Sequence, residues 1–442
     1  MNARRLLCVV LVASIATLGM SACQVRVAGT RCRVPGTTAQ DATHVLVCKQ
    51  GRWRRTITKA QAAMILVAVI NARTPVGVAA GNGHTCMSMK DSNLRCWGFN
   101  SSGQLGDGTT TSRLVPTLAP GATTRFTTQL SGGSPVVETN LGSIDAGAEF
   151  TCTQSGGQFA ATPSYSTSCW GYNGFGQFGD GSTTNRLTSS SVSGGNQTGV
   201  MAAGTVHLCI AVGFSGAVQC AGQNAAGQLG NGATTPSSTK VDTGLSGVAA
   251  LAAGSSHTCA LKGDGAVWCW GANGSGQLGD GTTTQRTVPT LVPGLSASAI
   301  TAGGDHTCAL LGDGTVKCWG ANADGQLGIG TTVASSSPVA VLGLGGVTAL
   351  SAGADHSCAV LTGGGLWCWG ANATGQLGTG DTTTSATPHV VQTVTGATAV
   401  SAGFGHTCAI AAGKGWCWGR NDLGQLGDGT TVGRLSPVQV AF

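Results

Sequence analysis

The sequence predicts an all-β protein, a seven-bladed β-propeller built from repeats of about 50 residues and preceded by a small N-terminal disulfide hairpin arm. Two repeated motifs carry this prediction. The first, AGxxHTC, occurs in seven versions that begin at residues 80, 146, 203, 253, 302, 352 and 402. The second, CWGxNxxGQLGxG, follows each of them and begins at Cys96, Cys169, Cys220, Cys269, Cys318, Cys368 and Cys417. The last four repeats recur every 49–50 residues, whereas the first two intervals are 66 and 57 residues.

The pattern inside each repeat is typical of short strands. In residues 248–271, VAALAAG, HTCAL and AVWCWG are separated by glycine-rich turns, which predicts hairpins. Four such strands in each of seven units match a propeller, and an open solenoid is the alternative. We favour a closed ring because the final repeat stops at residues 437–442 and the first begins near Pro75. Each end of the propeller is therefore expected to supply part of one shared blade.

The cysteines in each repeat have the spacing of cross-strand disulfides. Cys259 and Cys269 are equidistant from Asp264 in a turn, and residues in this relation face each other within disulfide range. Cys152 and Cys169 enclose a longer loop, and two other pairs centre between residues, which predicts turns of another length or a bulge. The predicted pairs are Cys86–Cys96, Cys152–Cys169, Cys209–Cys220, Cys259–Cys269, Cys308–Cys318, Cys358–Cys368 and Cys408–Cys417.

The N-terminus has the features of an export signal. Arg4 and Arg5 precede an apolar run at residues 6–18, which suits a signal peptide over residues 1–22. MSAC, ending at Cys23, is similar to a bacterial lipobox and predicts lipid attachment at Cys23, whereas ordinary cleavage without a lipid is the alternative. Eighteen cysteines less Cys8 and Cys23 leave an even number, as expected for disulfides in an oxidising compartment.

Residues 23–74 form a basic N-terminal arm, and the propeller is expected over residues 75–442. In the arm, Cys32 and Cys48 predict a disulfide hairpin, and residues 57–72 predict a short helix. Nine Lys and Arg against one acidic residue give residues 23–73 a net charge of about +8, while residues 74–442 carry about −4. This distribution argues against nucleic-acid binding by the propeller. The arm either reinforces a lipid anchor at an anionic membrane or is simply solvated.

The two motifs resemble the regulator of chromosome condensation repeat family over roughly residues 76–442. The resemblance implies a seven-bladed propeller, although the cysteines depart from the eukaryotic pattern. Secreted bacterial members, including propellers that inhibit β-lactamases, suggest a binding protein of the cell envelope. Nuclear members are exchange factors for a Ran-type GTPase, which is the alternative function. Plant ultraviolet photoreceptors of the family use clustered Trp, but one Trp in most blades is more typical of packing between blades.

The sequence predicts no cofactor, metal site or catalytic residue. Histidines precede the first cysteine in six repeats, but they recur around a ring and favour a structural role over zinc binding; Phe150 replaces the seventh without evident compensation. The GDG segments after GQLG favour turns over calcium loops. An envelope enzyme remains a third alternative and would need paired carboxylates in a cleft.

Two insertions mark the expected binding site. Residues 118–143 separate the first two units, and residues 153–168 lengthen the hairpin loop of the second. Both connections should emerge on the same face, because loops alternate between the faces of an up-and-down blade. We therefore predict one recognition surface for an unknown protein or cell-surface partner, on a monomeric protein, and a neutral insertion is the alternative. The candidate anchors are Arg125, Phe126, Phe159 and Tyr165.

Overall fold

The computed structural model describes residues 38–40, 44–50, 52–61, 63, 70–71, 73–123, 126–128, 137–139, 143–159, 162–213 and 215–442. The chain divides into two compact units, residues 1–73 and 74–442. Cys23, Cys32 and Arg125 lie outside the described residues, as does the predicted signal peptide. In the described part of the chain, no helix is long and apolar enough to span a membrane.

The first unit contains a small antiparallel sheet. Its strands, in the order β1-β2-β3, are β1 (Thr38–Gln40), β2 (His44–Lys49) and β3 (Arg52–Thr58). Cys48 lies in β2, opposite Trp53, and its side chain is outside the described residues. The helix predicted from residue 57 begins later, because Thr58 still belongs to β3. Residues 59–61, 63, 70 and 71 are helical, and Thr58 and Gln61 exchange side-chain to backbone hydrogen bonds in a capping box.

The second unit is a ring of seven four-stranded blades, which confirms the predicted propeller. Blade 1 consists of β4 (Pro75–Ala80), β5 (His84–Met89), β6 (Asn93–Gly98) and β7 (Arg113–Thr123). Two short strands, β8 (Phe126–Thr128) and β9 (Val137–Thr139), follow it and are additional to the blades. Blades 2 and 3 contain β10 (Ile144–Ala146), β11 (Phe150–Phe159), β12 (Thr162–Gly171), β13 (Arg186–Ala203), β14 (His207–Val212), β15 (Ala217–Gly222) and β16 (Ser237–Asp242).

Blades 4 to 7 are regular and consist of four consecutive strands each. These strands are β17 (Val248–Ala253), β18 (His257–Lys262), β19 (Ala266–Gly271), β20 (Arg286–Ser296), β21 (Ala299–Ala302), β22 (His306–Leu310), β23 (Val316–Gly320), β24 (Ser335–Ala340), β25 (Val347–Ala352), β26 (His356–Leu361), β27 (Leu366–Gly370), β28 (Ser385–Val390), β29 (Ala397–Ala402), β30 (His406–Ala411), β31 (Lys414–Gly419) and β32 (Arg434–Gln439). In each blade the AGxxHTC motif spans the end of the first strand and the start of the second.

All seven blade disulfides are present and join the second and third strands of each blade. The cysteines are directly opposite in register, with Cα atoms 4.1–4.2 Å apart. The two pairs that centre between residues differ in turn length, as expected. Ala411 pairs with Lys414 across a two-residue turn in blade 7, whereas Val212 and Ala217 enclose four residues in blade 3.

The ring closes, but not by a shared blade. The strands of blade 1 all come from residues 75–123 and those of blade 7 from residues 397–439, so the prediction that the two ends build one sheet is wrong. Each blade can bury its own strands, and closure therefore needs only side-by-side packing of the first and last blades. Ser401 accepts a hydrogen bond from the Ala80 backbone N–H at 2.9 Å, and Trp97 and Phe442 pack edge to face.

Backbone hydrogen bonds connect successive blades around the axis. In each blade the turn after the AG pair donates to the corresponding turn of the next blade, at 3.0–3.4 Å. The seventh of these bonds runs from Phe404 N to Gly81 O, so the circle is complete. We call the end of the propeller that carries these turns the neck face, and the opposite end, with the turns between second and third strands, the turn face.

Blades 2 and 3 share one strand. β13 is 18 residues long and serves as the last strand of blade 2 and the first of blade 3, so the two blades form one nine-stranded sheet. The hairpin loop predicted over residues 153–168 is largely strand. Residues 153–159 and 162–168 continue β11 and β12 in unbroken register.

Candidate interaction surface

The two insertions meet in the nine-stranded sheet. β8, from the first insertion, pairs in parallel with β11 through Phe126 and Gly156. Gly156 pairs in turn with Tyr165 of β12, and Tyr165 pairs with Gln197 of β13. We call this part of the sheet the extension and define it as residues 126–128, 137–139, 153–159, 162–168 and 193–200. It projects from the turn face, because the connections that lengthen it are those between second and third strands and between blades.

A disulfide and a polar ladder hold the root of the extension. Cys152 and Cys169 close its base, and Gln154 beyond them is buried. The Gln154 amide accepts a hydrogen bond from the Ser143 hydroxyl at 3.0 Å and donates to the Thr167 hydroxyl at 3.3 Å. One pair further out, the Ser155 and Ser166 hydroxyls lie 3.3 Å apart. A paired polar ribbon of this kind keeps its register without a hydrophobic core.

The structure places three of the four predicted anchors in this sheet. Phe126 begins β8, Phe159 ends β11, and Tyr165 lies in β12 with a half-buried side chain. The side chains of Phe126 and Phe159 lie outside the described residues, as Arg125 does entirely. The backbones of Phe126 and Tyr165 occupy strands on either side of β11, so two segments 39 residues apart in sequence are neighbours. Whether they bind a partner stays a prediction.

The interfaces between blades, here called seams, use one repeated hydrogen-bond network. At the seam between blades 4 and 5, the Thr307 hydroxyl and the Trp319 indole N–H both donate to the backbone carbonyl of Gln277, at 2.8 and 2.9 Å. His257 Nε2 lies 2.9 Å from the Thr307 hydroxyl. Because that hydroxyl already donates its hydrogen, His257 must donate from Nε2, which leaves Nδ1 unprotonated and without a hydrogen-bond partner among the residues that the structure describes.

Six seams carry this network, and the recurring histidines therefore have the structural role predicted for them. The histidines are His84, His207, His257, His306, His356 and His406. All six are fully buried, and burial lowers their pKa values from 6.5 to about 3 or 4. They are neutral in the folded protein across the physiological range. The six Trp residues of the second motif donate to the same Gln carbonyls and are also fully buried.

The seam between blades 2 and 3 is different. Phe150 replaces the histidine, and no compensating change is evident from the sequence. The structure shows one, because Leu208 of blade 3 stands where the other blades have Thr or Ser. Ala221 replaces the Trp, and Phe178 replaces the Leu of GQLG, with the rings of Phe150 and Phe178 6.3 Å apart. All four side chains are buried, so this seam has apolar packing in place of the polar network of the other six seams.

The GDG segments organise the long loops on the neck face. Asp107 accepts hydrogen bonds from the Thr109 backbone and hydroxyl at 3.0 and 2.7 Å and pairs with Arg113 at 2.8 Å. Burial alone would raise the pKa of Asp107, but the hydrogen bonds from Thr109 and Arg113 outweigh it and hold the pKa below its usual value. Asp280 and Asp428 make the same contacts, and Asp180 pairs with Arg186. These carboxylates therefore act as loop supports.

Sequence reasoning missed Asp145. It lies in β10, immediately before the AG pair of blade 2, and lines the axial channel. Its carboxylate accepts hydrogen bonds from the backbone N–H groups of Ala146 and Ala203, at 2.9 and 2.7 Å. The available signal was the IDAG segment, since other repeats have Ala, Ser or Thr at that position.

Comparison with known sequences identifies the repeats. Two sequence profiles, each described as "Regulator of chromosome condensation (RCC1) repeat", match more than half of the chain. The first covers residues 93–135, 264–310, 313–360, 363–410 and 412–442, and the second covers residues 76–104, 248–277, 297–326 and 347–376. The ultraviolet-B receptor UVR8 of Arabidopsis thaliana is 32% identical over 159 residues, which are 35% of this chain and 31% of the receptor.

Solved structures share the architecture. Human WBSCR16 superposes with a TM-score of 0.63 at 21% identity, over 79% of this chain and 94% of that protein. Prp20p of Saccharomyces cerevisiae, a structure described together with its binding properties to Gsp1p and histones, gives a TM-score of 0.65 at 19% identity, over 85% and 89% of the two chains. At these identities the likeness shows the fold.

Proposed function

Because this chain belongs to the regulator of chromosome condensation repeat family, we propose that it works as a non-catalytic binding scaffold whose extension recognises a protein or cell-surface partner. One observation carries the proposal. Two insertions that interrupt otherwise regular repeats pair with each other, Phe126 beside Gly156, and build one sheet that projects from a rigid ring. The pairing gives both insertions a fixed arrangement, and loops and ribbons on rigid scaffolds are common recognition elements.

The proposed compartment is the cell envelope. Seven disulfides are typical of a protein from an oxidising environment outside the cytoplasm. The apolar run at residues 6–18 and the MSAC segment support export and lipid attachment at Cys23, and the basic arm would add attraction to an anionic membrane. Exchange on a small GTPase is the alternative function, and it would require a cytoplasmic partner.

Site-specific photocrosslinking tests the extension as the binding surface. A photoreactive phenylalanine analogue replaces Tyr165 in the protein produced in its own cells, and the matched control carries it at Thr315, in the short turn of blade 5. We expect one defined crosslinked partner from position 165 and none from position 315. Equal crosslinking from both positions would remove the basis of the proposal, and a nucleotide-binding partner would favour the exchange function.

A turn exchange provides the second arm. Residues 155–166 are replaced by residues 311–315, which gives blade 2 the ten-residue cysteine separation of blade 5. This variant retains the disulfide and the buried Gln154. We expect it to fold and to lose the partner identified from position 165, as measured by co-purification. Retention of that partner at the original affinity would show that the extension does not bind it.

A further inference from the structure

We propose that the neck face carries a docking site for a segment of a partner protein in which an apolar side chain stands beside Lys or Arg. The site crosses the seam between blades 7 and 1, where the two ends of the propeller meet. It combines a strip of apolar side chains with three carboxylates on the neighbouring blades 5 and 6. The extension projects from the opposite end of the propeller, so this site is independent of the proposed function.

The apolar part begins at Phe404, beside the central opening of the neck face. Phe404 is the first residue after the AG pair of blade 7, and it is 55% exposed. The opening, a cavity of about 100 Å³, is otherwise lined by small or neutral polar residues. Burial in the propeller does not account for a phenyl ring here, and exposed aromatic side chains are common anchors of protein interfaces. The equivalent residues of the other blades are Asn82, Ala148, Thr205, Ser255, Gly304 and Ala354.

Four further apolar residues extend this surface outward along the seam. Leu423 of blade 7 and Phe99 of blade 1 meet over Gly83, where an added Cβ atom would lie 2.7 Å from Leu423 Cδ1 and 3.2 Å from Phe99 Cβ. Two residues of β7, 38% and 43% exposed, lie beside residues 424–429 and continue the surface toward the rim. The equivalent residues at the seam between blades 4 and 5 are Ser275, Ala321, Ser336 and Ser337. We define the neck strip as Phe99, Leu114, Val115, Phe404 and Leu423.

Three carboxylates continue the neck face from the strip onto blades 6 and 5. Asp355 and Asp305 are the second residues after the AG pairs of these blades, and Asp324 lies in the long loop of blade 5. The turns after the AG pairs are hydrogen-bonded in order, blade 5 to blade 6 at 3.0 Å and blade 6 to blade 7 at 3.2 Å, so Asp355 is one turn away from Phe404. Burial raises the pKa of Asp355, and the charges of Asp324 and Asp305 raise it further, as expected for neighbouring carboxylates.

These three charges are not neutralised as others on the same face are. The GDG carboxylates pair with arginines, and Asp422 pairs with Arg420 at 2.6 Å. In the part of the chain that the structure describes, Asp305, Asp324 and Asp355 have no ion-pair partner, and Asp305 accepts a hydrogen bond from the neutral Gln277 amide at 3.0 Å. An unneutralised group of like charges attracts ions and side chains of the opposite sign.

The combination determines the kind of partner that fits. The neck strip alone would accept any apolar segment, whereas the adjoining carboxylates repel acidic segments and attract Lys and Arg. Small-molecule sites are concave pockets that enclose most of their ligand, and this surface instead runs open from the axis to the rim. An extended polypeptide rises about 3.3 Å per residue, so neighbouring residues of one segment can contact the strip and the carboxylates together.

Fluorescence anisotropy with labelled peptides tests the site on the full protein. The probe is an eight-residue peptide that alternates Lys with Leu or Phe. One comparison peptide has Glu in place of every Lys, and the other has Ser in place of every Leu and Phe. We expect the probe to bind with a Kd in the micromolar range, roughly 10–500 μM, and each comparison peptide to bind at least about 10-fold more weakly. Equal binding of the probe and either comparison peptide would contradict the proposed chemistry.

Variants of the protein locate the binding. Phe404→Ala, which installs the residue that blades 2 and 6 carry, and the double variant Asp324→Asn with Asp355→Asn should each weaken probe binding by about 5- to 50-fold. The matched controls are Val333→Thr, an exposed apolar position of the same face outside the strip, and Asp264→Asn, in an exposed turn of the turn face. Both controls should bind the probe as the wild type does.

Thermal unfolding without peptide verifies that each variant is folded at the temperature of the titration. Weaker probe binding by Phe404→Ala and by the double variant, with unchanged binding by both controls, supports the site. No binding of the probe to the wild type, or wild-type affinity in either Phe404→Ala or the double variant, overturns it. The variant that lacks residues 155–166 should still bind the probe, which separates this test from that of the extension.

Discussion

Gly81 illustrates how closely the backbone turns of the neck face are packed. A Cβ atom at this position would lie 2.5 Å from the Gly147 carbonyl oxygen and 2.5 Å from Cε1 of His84. Its own carbonyl accepts the hydrogen bond from Phe404 that closes the circle. The glycine of the AG pair is thus required by contacts to its own blade and to the next one, and not by a turn conformation.

Gly81→Ala is therefore expected to destabilise the propeller by at least about 2 kcal/mol, because neither the carbonyl nor the buried imidazole can move freely. The matched control is Gly312→Ala in an exposed turn, where no atom lies within 4 Å of the added methyl group. We expect the control to change the free energy of unfolding by less than about 0.5 kcal/mol. Urea denaturation measures both, and equal midpoints would contradict the close packing described for the neck.

Among the elements, each hairpin of second and third strands is a closed unit with its own disulfide. The bridge in blade 5 joins Cys308 and Cys318, ten residues apart, and both are fully buried. Closing a loop of this size in the unfolded chain removes less conformational entropy than closing a long loop would, so the stabilisation from one bridge is modest.

Replacing Cys308 and Cys318 together by Ala should lower the free energy of unfolding by roughly 2–3 kcal/mol, because the unfolded chain regains the freedom of the loop. The hairpin register is also fixed by strand pairing, so the fold itself should survive. Denaturant unfolding compared with the wild type gives the difference. A protein that no longer folds would mean that the bridges define the blades and do not merely stabilise them.

The elements that repeat along the chain could be predicted from the sequence, whereas the features that occur only once could not. The blades and their seven disulfides followed from spacing, because a local hairpin needs only its own residues. The compensation of Phe150 by Leu208 was not predicted, because the two lie in different blades and meet only across a seam. The strands formed by the insertions were not predicted, because residues 153–168 lack the alternating hydrophobic pattern of a strand. Asp145 was missed because its significance depends on seven first strands converging on one axis.

For the whole molecule, six buried histidines make stability depend on pH. Their folded pKa values of about 3 to 4 lie below the unfolded value of 6.5, so the unfolded chain binds more protons between these limits. The contribution of these histidines to the free energy of unfolding is fully present above about pH 6.5 and is lost progressively as the pH drops toward 4. Asp145 opposes this trend, since its raised pKa means that the folded state takes up a proton near pH 6.

The natural seam between blades 2 and 3 offers the variant that tests this. His257→Phe combined with Thr307→Leu copies Phe150 and Leu208 into the seam between blades 4 and 5. The double variant should take up about one proton fewer on unfolding near pH 5, which is read from the slope of the unfolding free energy against pH. His389→Phe, at an exposed strand end, is the control. An unchanged slope in the double variant would mean that His257 does not contribute to the acid sensitivity.

The contiguous origin of each blade has a consequence for circular permutation. New termini placed between any two consecutive regular blades would leave every sheet whole, because only side-by-side contacts cross those boundaries. The boundary between blades 2 and 3 is the exception, since a cut within β13 would divide a single strand that both blades use. The ring thus has several interchangeable starting points and one junction that behaves as the interior of a larger module, and the extension grows from that junction.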